Sequence, residues 1–335
     1  MKVKIDVGNS DSLLDFRNGN SHSECVVHLK DNFYVVAVIS NCARFSRRYQ
    51  LYKEFAHRMH LSGVKLFTVE CAFGDRNFEV THADNPMNLQ LRTNSELWHK
   101  ENMINLGVSR LPGNWQYVCW IDADIDFMNH NWVSDTIHAL QHYDIVQLFS
   151  QSLDMGPNGE IMTMSHSFCY SHVSGKKWNG KKYSSLNFHP GYAWGCTRNA
   201  WDKMAGVYEH AICGSGDHHM ILALIGKYED SIPSTMHENY KKSLKAWQDN
   251  AVRHIKKNIG YVPGIIKHYF HGKKKNRKYV ERWEILKTHN FDPLTDIKKD
   301  WQGLWQLNDN KPDLRDDLRA YFRVRNEDSN DNGDD

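Results

Sequence analysis

The sequence predicts an α/β fold, a sheet of buried strands flanked by helices, and three observations carry that expectation. Residues 33–40 (FYVVAVIS) form a continuous β-rich apolar run, 45–61 have helical spacing, and 64–71 (VKLFTVEC) form a second apolar run. Strand, helix, strand in that order implies a parallel pair joined by a right-handed crossover. A third run, Tyr117-Val118-Cys119-Trp120-Ile121, ends in Asp122, Asp124 and Asp126, and α/β sheets bind ligands at the carboxyl ends of their strands. A helical stretch at 132–142 and a strand at 144–150 (DIVQLFS) follow, so residues 31–150 read as a nucleotide-binding half.

Elsewhere the pattern is less regular. Residues 1–30 are polar and read as an N-terminal extension, a short hairpin or sheet edge. A helix is expected over 96–106, capped by Asn94 or Ser95. Residues 151–190 are rich in Gly, Ser and Lys, which predicts a long functional loop. Order returns over 191–229, with a helix starting at Trp201 and another over 217–225; residues 239–258 read as a Lys-rich amphipathic helix. The expected layout is a domain over 31–285 with its second half at 151–285, a helical extension over 286–325, and a disordered acidic tail over 326–335.

Composition sets outer bounds. With 335 residues, 40% hydrophobic and 24% charged, the chain has the make-up of a globular protein with one large domain. A net charge of +2 selects neither a nucleic acid nor a membrane as partner. No apolar stretch approaches the roughly 20 residues that span a bilayer, and the first residues lack the apolar core of a signal peptide. A cytoplasmic protein without a membrane span is therefore expected. Seven cysteines without a Cys-x-x-Cys pattern favour reduced thiols. Eleven Trp residues either fill a core or line a carbohydrate or base-stacking surface.

The carboxylates after the third run are the chief chemical signal. Asp122 and Asp124, at i and i+2, face one side of an extended chain and can share a hard divalent cation, whose coordination substrate phosphates usually complete. The plainer reading is a pair of turn formers or helix caps. Asp126 is either a further ligand or the cap of the next helix.

Several segments occur in a telling order: the Asn41-Cys42-Ala43-Arg44 loop, Trp120-Ile121-Asp122-Ala123-Asp124, Gly191-Tyr192-Ala193-Trp194-Gly195, Gly214-Ser215-Gly216-Asp217 and Tyr269-Phe270-His271-Gly272. Over roughly residues 33–285 the set resembles the GT-A class of nucleotide-sugar glycosyltransferases. The resemblance implies a Rossmann-like mixed central sheet flanked by helices, with a helical or loop C-terminal extension. It implies Asp122 and Asp124 as ligands of Mn²⁺ or Mg²⁺, with His271 as the late metal ligand and His268 as its alternative; a histidine suits Mn²⁺ better. Asp217 falls where inverting members carry the base that deprotonates the acceptor, although many of them have Glu-Asp where this chain has Gly-Asp. Trp194 falls where an aromatic ring walls the sugar. Arg44 would approach the base or phosphate, Asp75 the uracil or ribose, and Arg92 a phosphate.

The basic run at 273–278 offers Lys273 and Arg277 to a departing diphosphate; a solvated surface run and a nucleic-acid or anionic-membrane patch are its other readings. The function implied is transfer from a UDP-sugar to the hydroxyl of a glycan or other acceptor, with inversion. The alternatives are a metal-dependent phosphohydrolase, disfavoured because its Asp-x-Asp ends the first strand; a nucleotidyltransferase, disfavoured because the 40–44 loop has no glycine; and a non-catalytic sugar-binding protein.

Overall fold

Strand β1 (Phe33–Ser40) is buried along nearly its whole length, and its side chains divide between two cores. Tyr34 and Val36 enter one; Phe33, Val35, Ala37 and Ile39 enter the other. A strand covered on both faces needs apolar residues at every position, which is why this stretch reads as an unbroken hydrophobic run. The computed structural model describes residues 30–180 and 186–329.

After β1 come helix α1 (Ser46–Leu61), β2 (Lys65–Phe73), β3 (Asn88–Thr93), α2 (Lys100–Val108), β4 (Tyr117–Ile121), β5 (Ile125–Phe127), α3 (Trp132–Ala139) and β6 (Ile145–Gln147). Then follow β7 (Gln151–Met155), β8 (Ile161–His166), α4 (Phe168–Val173), β9 (Ala193–Thr197), α5 (Arg198–Met204), α6 (Gly216–Leu224) and α7 (Glu238–Ile255). The chain continues with β10 (Ile259–Tyr261), β11 (Ile265–His268), α8 (Arg282–Thr288), β12 (Ile297–Lys299), β13 (Trp305–Leu307) and α9 (Pro312–Val324).

The central sheet has seven strands in the order β10-β6-β9-β4-β1-β2-β3. β1 runs parallel to β2 and β4, and β2 to β3. β9 is antiparallel to both β4 and β6, so the sheet is mixed and helix-flanked, as expected. A second sheet, β5-β11-β7-β8, adjoins it. Helix α2 lies tight against β1 and β2: a Cβ on Gly107 would stand 2.8 Å from Val69 Cγ2 and 2.9 Å from Val36 Cγ1.

Three expectations change. The stretch from 151 onward holds β7, β8 and α4 rather than a loop. In β7 the buried positions are the polar Ser152 and Asp154, so it lacks the apolar alternation that marks a strand; residues 181–185 lie outside the described residues. Helix α2 starts at Lys100, not at 96, and His99 holds its N-cap position without a capping side-chain bond. Ser95 Oγ instead accepts from Leu307 N–H at 3.1 Å, and Asn94 caps nothing here. The acidic segment is anchored at Glu327, only 1% exposed between exposed Asn326 and Asp328, because Arg48 and Arg325 donate to that carboxylate; residues 330–335, and all but the last residue of the extension or hairpin expected over 1–30, lie outside the described residues. Among the described residues, no helix is long and apolar enough to cross a membrane.

Candidate active site

The Asp-x-Asp segment spans the junction of the two sheets. Asp122 N–H donates to Tyr192 O at 2.8 Å, extending the β4–β9 ladder, whereas Asp124 O accepts from Tyr269 N–H at 2.8 Å beyond β11. Between them the chain turns, because β4 ends at Ile121 and β5 begins at Ile125. The extended geometry that would set both carboxylates on one side is therefore absent, and the two find different partners.

Asp124 belongs to a cluster with His268 and His271, whose candidate ligand atoms lie within 4.8 Å of one another. His271 Nε2 is 2.8 Å and His268 Nε2 3.7 Å from Asp124 Oδ2. Behind the histidines stand carboxylates: His268 Nδ1 lies 2.8 Å from Asp154 Oδ1, and His271 Nδ1 lies 3.3 Å from Glu327 Oε2. A carboxylate only accepts, so each Nδ1 carries a hydrogen toward its carboxylate, which leaves each Nε2, on the Asp124 side, as the atom that would ligate a cation. The two Nε2 atoms are 3.3 Å apart, and Asp124 Oδ1 is buried without a hydrogen-bond partner. Two imidazole nitrogens and a carboxylate converging in this way fit a divalent cation such as Mn²⁺ with positions left for substrate oxygens. Burial opposes charge on Asp124, but His268 and His271 hold its carboxyl well below the usual range. Burial would lower His268, yet Asp124 and Asp154 lift it to about 9.

Asp122 faces the other way. Lys100 Nζ stands 2.7 Å from Asp122 Oδ1 and 2.9 Å from Asp217 Oδ2. Burial pushes Asp122 up, Lys100 pulls it down, and Asp217 and Asp124 repel its charge, leaving it at about 6. Burial disfavours charge on Lys100, but the two aspartates raise its pKa well above the ordinary lysine value. Asp217 lies in the first turn of α6, behind Ser215, which takes a left-handed conformation at φ 81°. A Cβ on Gly191 would come within 3.4 Å of Asp217 Oδ2, so the Gly191 backbone lies close beside this carboxylate. Asp126 is neither ligand nor cap: it sits in β5 with its carboxylate 3.5 Å from Arg58 Nε and 3.2 Å from Tyr269 Oη.

Both groups line one cavity of about 920 Å³, together with Arg48, Lys274 and Arg277. Arg277 is buried and its Nη2 donates to His271 Nε2 at 2.9 Å; Lys274 Nζ lies 2.6 Å from Asp154 Oδ2.

The cavity brings together Asp122, Asp124, Asp217, His271 and Arg277 of the sequence-predicted set; Arg44, Asp75, Arg92, Trp194 and Lys273 are not among its lining residues. Arg44 turns outward, 3.8 Å from Glu79 Oε1. Asp75 is exposed in the turn after β2. Arg92, on edge strand β3, donates to Gly74 O at 2.5 Å and Arg76 O at 2.8 Å and lies over Phe78. Trp194 is 0% exposed in the core, with Nε1–H bonded to Pro190 O at 2.9 Å, so its ring meets protein rather than sugar. Lys273 precedes the 3₁₀ turn Lys274–Arg277 that supplies the lining cations.

Sequence reasoning missed Lys100, Asp154, Glu327 and Arg48. Asp154 and Glu327 had one common signal, a carboxylate at a position the fold buries, and it was hidden because neither segment has an apolar pattern.

No family model and no curated protein matches the chain. Solved structures similar to it include the catalytic domain of Drosophila β1,4-galactosyltransferase 7 with xylobiose, 12% identical over 84% of this chain and 96% of that one, TM-score 0.37. A mutant of that enzyme with manganese, UDP-Gal and xylobiose is 11% identical over 84% and 97%, TM-score 0.38. A protein named as a nucleotide-diphospho-sugar transferase from Desulfovibrio desulfuricans G20 is 9% identical over 77% and 95%, TM-score 0.31. These are distant likenesses.

Proposed function

We propose that the chain is a divalent-cation-dependent glycosyltransferase that moves a sugar from a nucleoside-diphosphate donor, UDP-linked, to an acceptor hydroxyl with inversion. The observation that carries this reading is one cavity holding both an Asp124–His268–His271 cluster and a separate carboxylate, Asp217, at a helix start. Its volume of about 920 Å³ is ample for a nucleotide sugar.

Mn²⁺ held by Asp124, His268 and His271 would neutralise the donor's phosphates as the diphosphate leaves. The chain's residues do the rest. Arg277 and Lys274 add fixed positive charge on the leaving-group side. Lys100 engages Asp217 Oδ2, which fixes the carboxylate and leaves Oδ1 to take the acceptor hydroxyl's proton as that oxygen attacks the anomeric carbon. In this layout both halves meet at the site: residues 31–150 contribute Asp124 and Lys100, and residues 151–285 contribute Asp217, His268, His271, Lys274 and Arg277.

The test is turnover of UDP-sugars with Mn²⁺ and with chelator, in wild type and in Asp124→Ala. Metal-dependent turnover should vanish in the variant while its circular dichroism stays close to wild type. Undiminished turnover in Asp124→Ala would sink the cation assignment.

A further inference from the structure

The segment directly after α9 lies behind the cation cluster. Glu327, 1% exposed, is its focal residue. Its Oε1 accepts from Arg48 Nη2 at 2.8 Å and from Arg325 Nε at 2.6 Å, and its Oε2 bonds Arg48 Nε and lies 3.3 Å from His271 Nδ1. Arg48 in turn donates from Nη1 to Ser40 O at 2.7 Å, so the carboxylate ties the end of β1 to the histidine. The next residue, Asp328, accepts from Ser46 N–H at 3.0 Å and Arg47 N–H at 2.8 Å, which fastens the segment to the start of α1.

A second observation concerns Gly272, directly after His271. It has φ +84°, and a Cβ there would lie 2.7 Å from Asn326 O and 3.0 Å from Glu327 Cα. The backbone of the returning segment thus presses on the chain at the histidine itself, and only glycine permits that approach.

We propose that residues 325–328 are a clasp that completes the cation site, with Glu327 as a positioning residue for His271. By accepting from Nδ1–H, Glu327 fixes the tautomer and ring orientation that turn Nε2 toward Asp124, and it raises the basicity of that nitrogen. Its two arginines hold the carboxylate in place, both donating to Oε1 while Oε2 faces the histidine. Cation affinity is therefore set partly by a residue about 200 positions from the Asp-x-Asp segment, in a stretch whose composition resembles a solvated tail.

The inference rests on the cation reading above, and the experiment separates the two. Mn²⁺ affinity of the full chain is measured by calorimetry, without any sugar donor, for wild type, Glu327→Gln, His271→Ala and the double variant. Glu327→Gln should bind Mn²⁺ about 10- to 100-fold more weakly than wild type, the range typical of lost outer-shell partners. The double variant should bind no more weakly than His271→Ala alone, because Glu327 acts through that ring. If Glu327→Gln does not fold, Glu327→Asp is measured instead; it keeps the charge Arg48 and Arg325 require but withdraws the oxygen from Nδ1. Wild-type affinity in the Glu327 variant, or losses that add in the double variant, would overturn the clasp and leave the cation site standing. No Mn²⁺ binding by wild type would overturn both.

Discussion

Lys100 stands between Asp122 and Asp217 at 2.7 and 2.9 Å, with Glu101 buried beside it at 4% exposure. One ammonium cannot neutralise three carboxylates, so a proton must reside among them. Burial raises Glu101 to about 8, with Lys100 opposing and Asp217 adding repulsion, which makes Glu101 the holder. Its folded pKa lies above the ordinary value of 4.5. The stability it contributes is thus fully present below that value and is lost as pH rises through about 8. Glu101→Gln keeps the neutral form at every pH, so its melting temperature relative to wild type should rise between about pH 5 and about pH 9. A pH-independent difference would mean that Glu101 is ionised throughout. Asp217 yields the matching prediction: Asp217→Asn should keep the nucleotide-induced rise in melting temperature while transfer falls by ~10²-fold or more. Persistent transfer would place the base elsewhere. At this scale Asp122, Asp124, Asp217 and His271 could be found in the sequence because each sits in a short motif. Lys100 could not, because a lysine in a helix's first turn is ordinarily solvated and only the fold buries it.

Helix α2 brings Lys100 and Glu101 to the site, and Gly107 lets it do so. Gly107→Ala places a methyl against Val69 and Val36, whose side-chain atoms already stand 2.8 and 2.9 Å from that point. The helix must lift from β1 and β2, at a cost of about 1–3 kcal/mol. The variant should melt at lower temperature and transfer more slowly, because Lys100 moves with its helix; unchanged stability would show that the packing yields there. Strands that carry an apolar run, such as β1, β2 and β4, were legible in the sequence. Those without one were not. β7 hides Asp154, 3% exposed, in a stretch that reads as loop, and β3 (NLQLRT) has only Leu89 and Leu91 as apolar residues. Arg44, Asp75 and Arg92, expected at the nucleoside, do not line the cavity, for a related reason: side-chain direction at turns and edge strands depends on packing that a local pattern does not encode.

At the scale of the molecule, the site joins segments distant in sequence. Asp122 and Asp124 come from the turn between the sheets, His268 from the end of β11 and His271 from just beyond it, Asp217 from α6, and Glu327 from beyond α9. Each histidine is backed by a carboxylate, and the cation cluster and Asp217 share one cavity. The central claim is that this cavity binds a nucleoside diphosphate through a divalent cation. The most direct measurement is a thermal-shift titration of wild type and Asp124→Ala with UDP, GDP, CDP and their sugar conjugates, each with and without Mn²⁺. A ligand that binds only the folded chain raises its melting temperature. The account predicts a rise with the uridine compounds that requires Mn²⁺ and disappears in Asp124→Ala. A rise that is independent of Mn²⁺ or survives in Asp124→Ala, or no rise with any nucleotide, would contradict it.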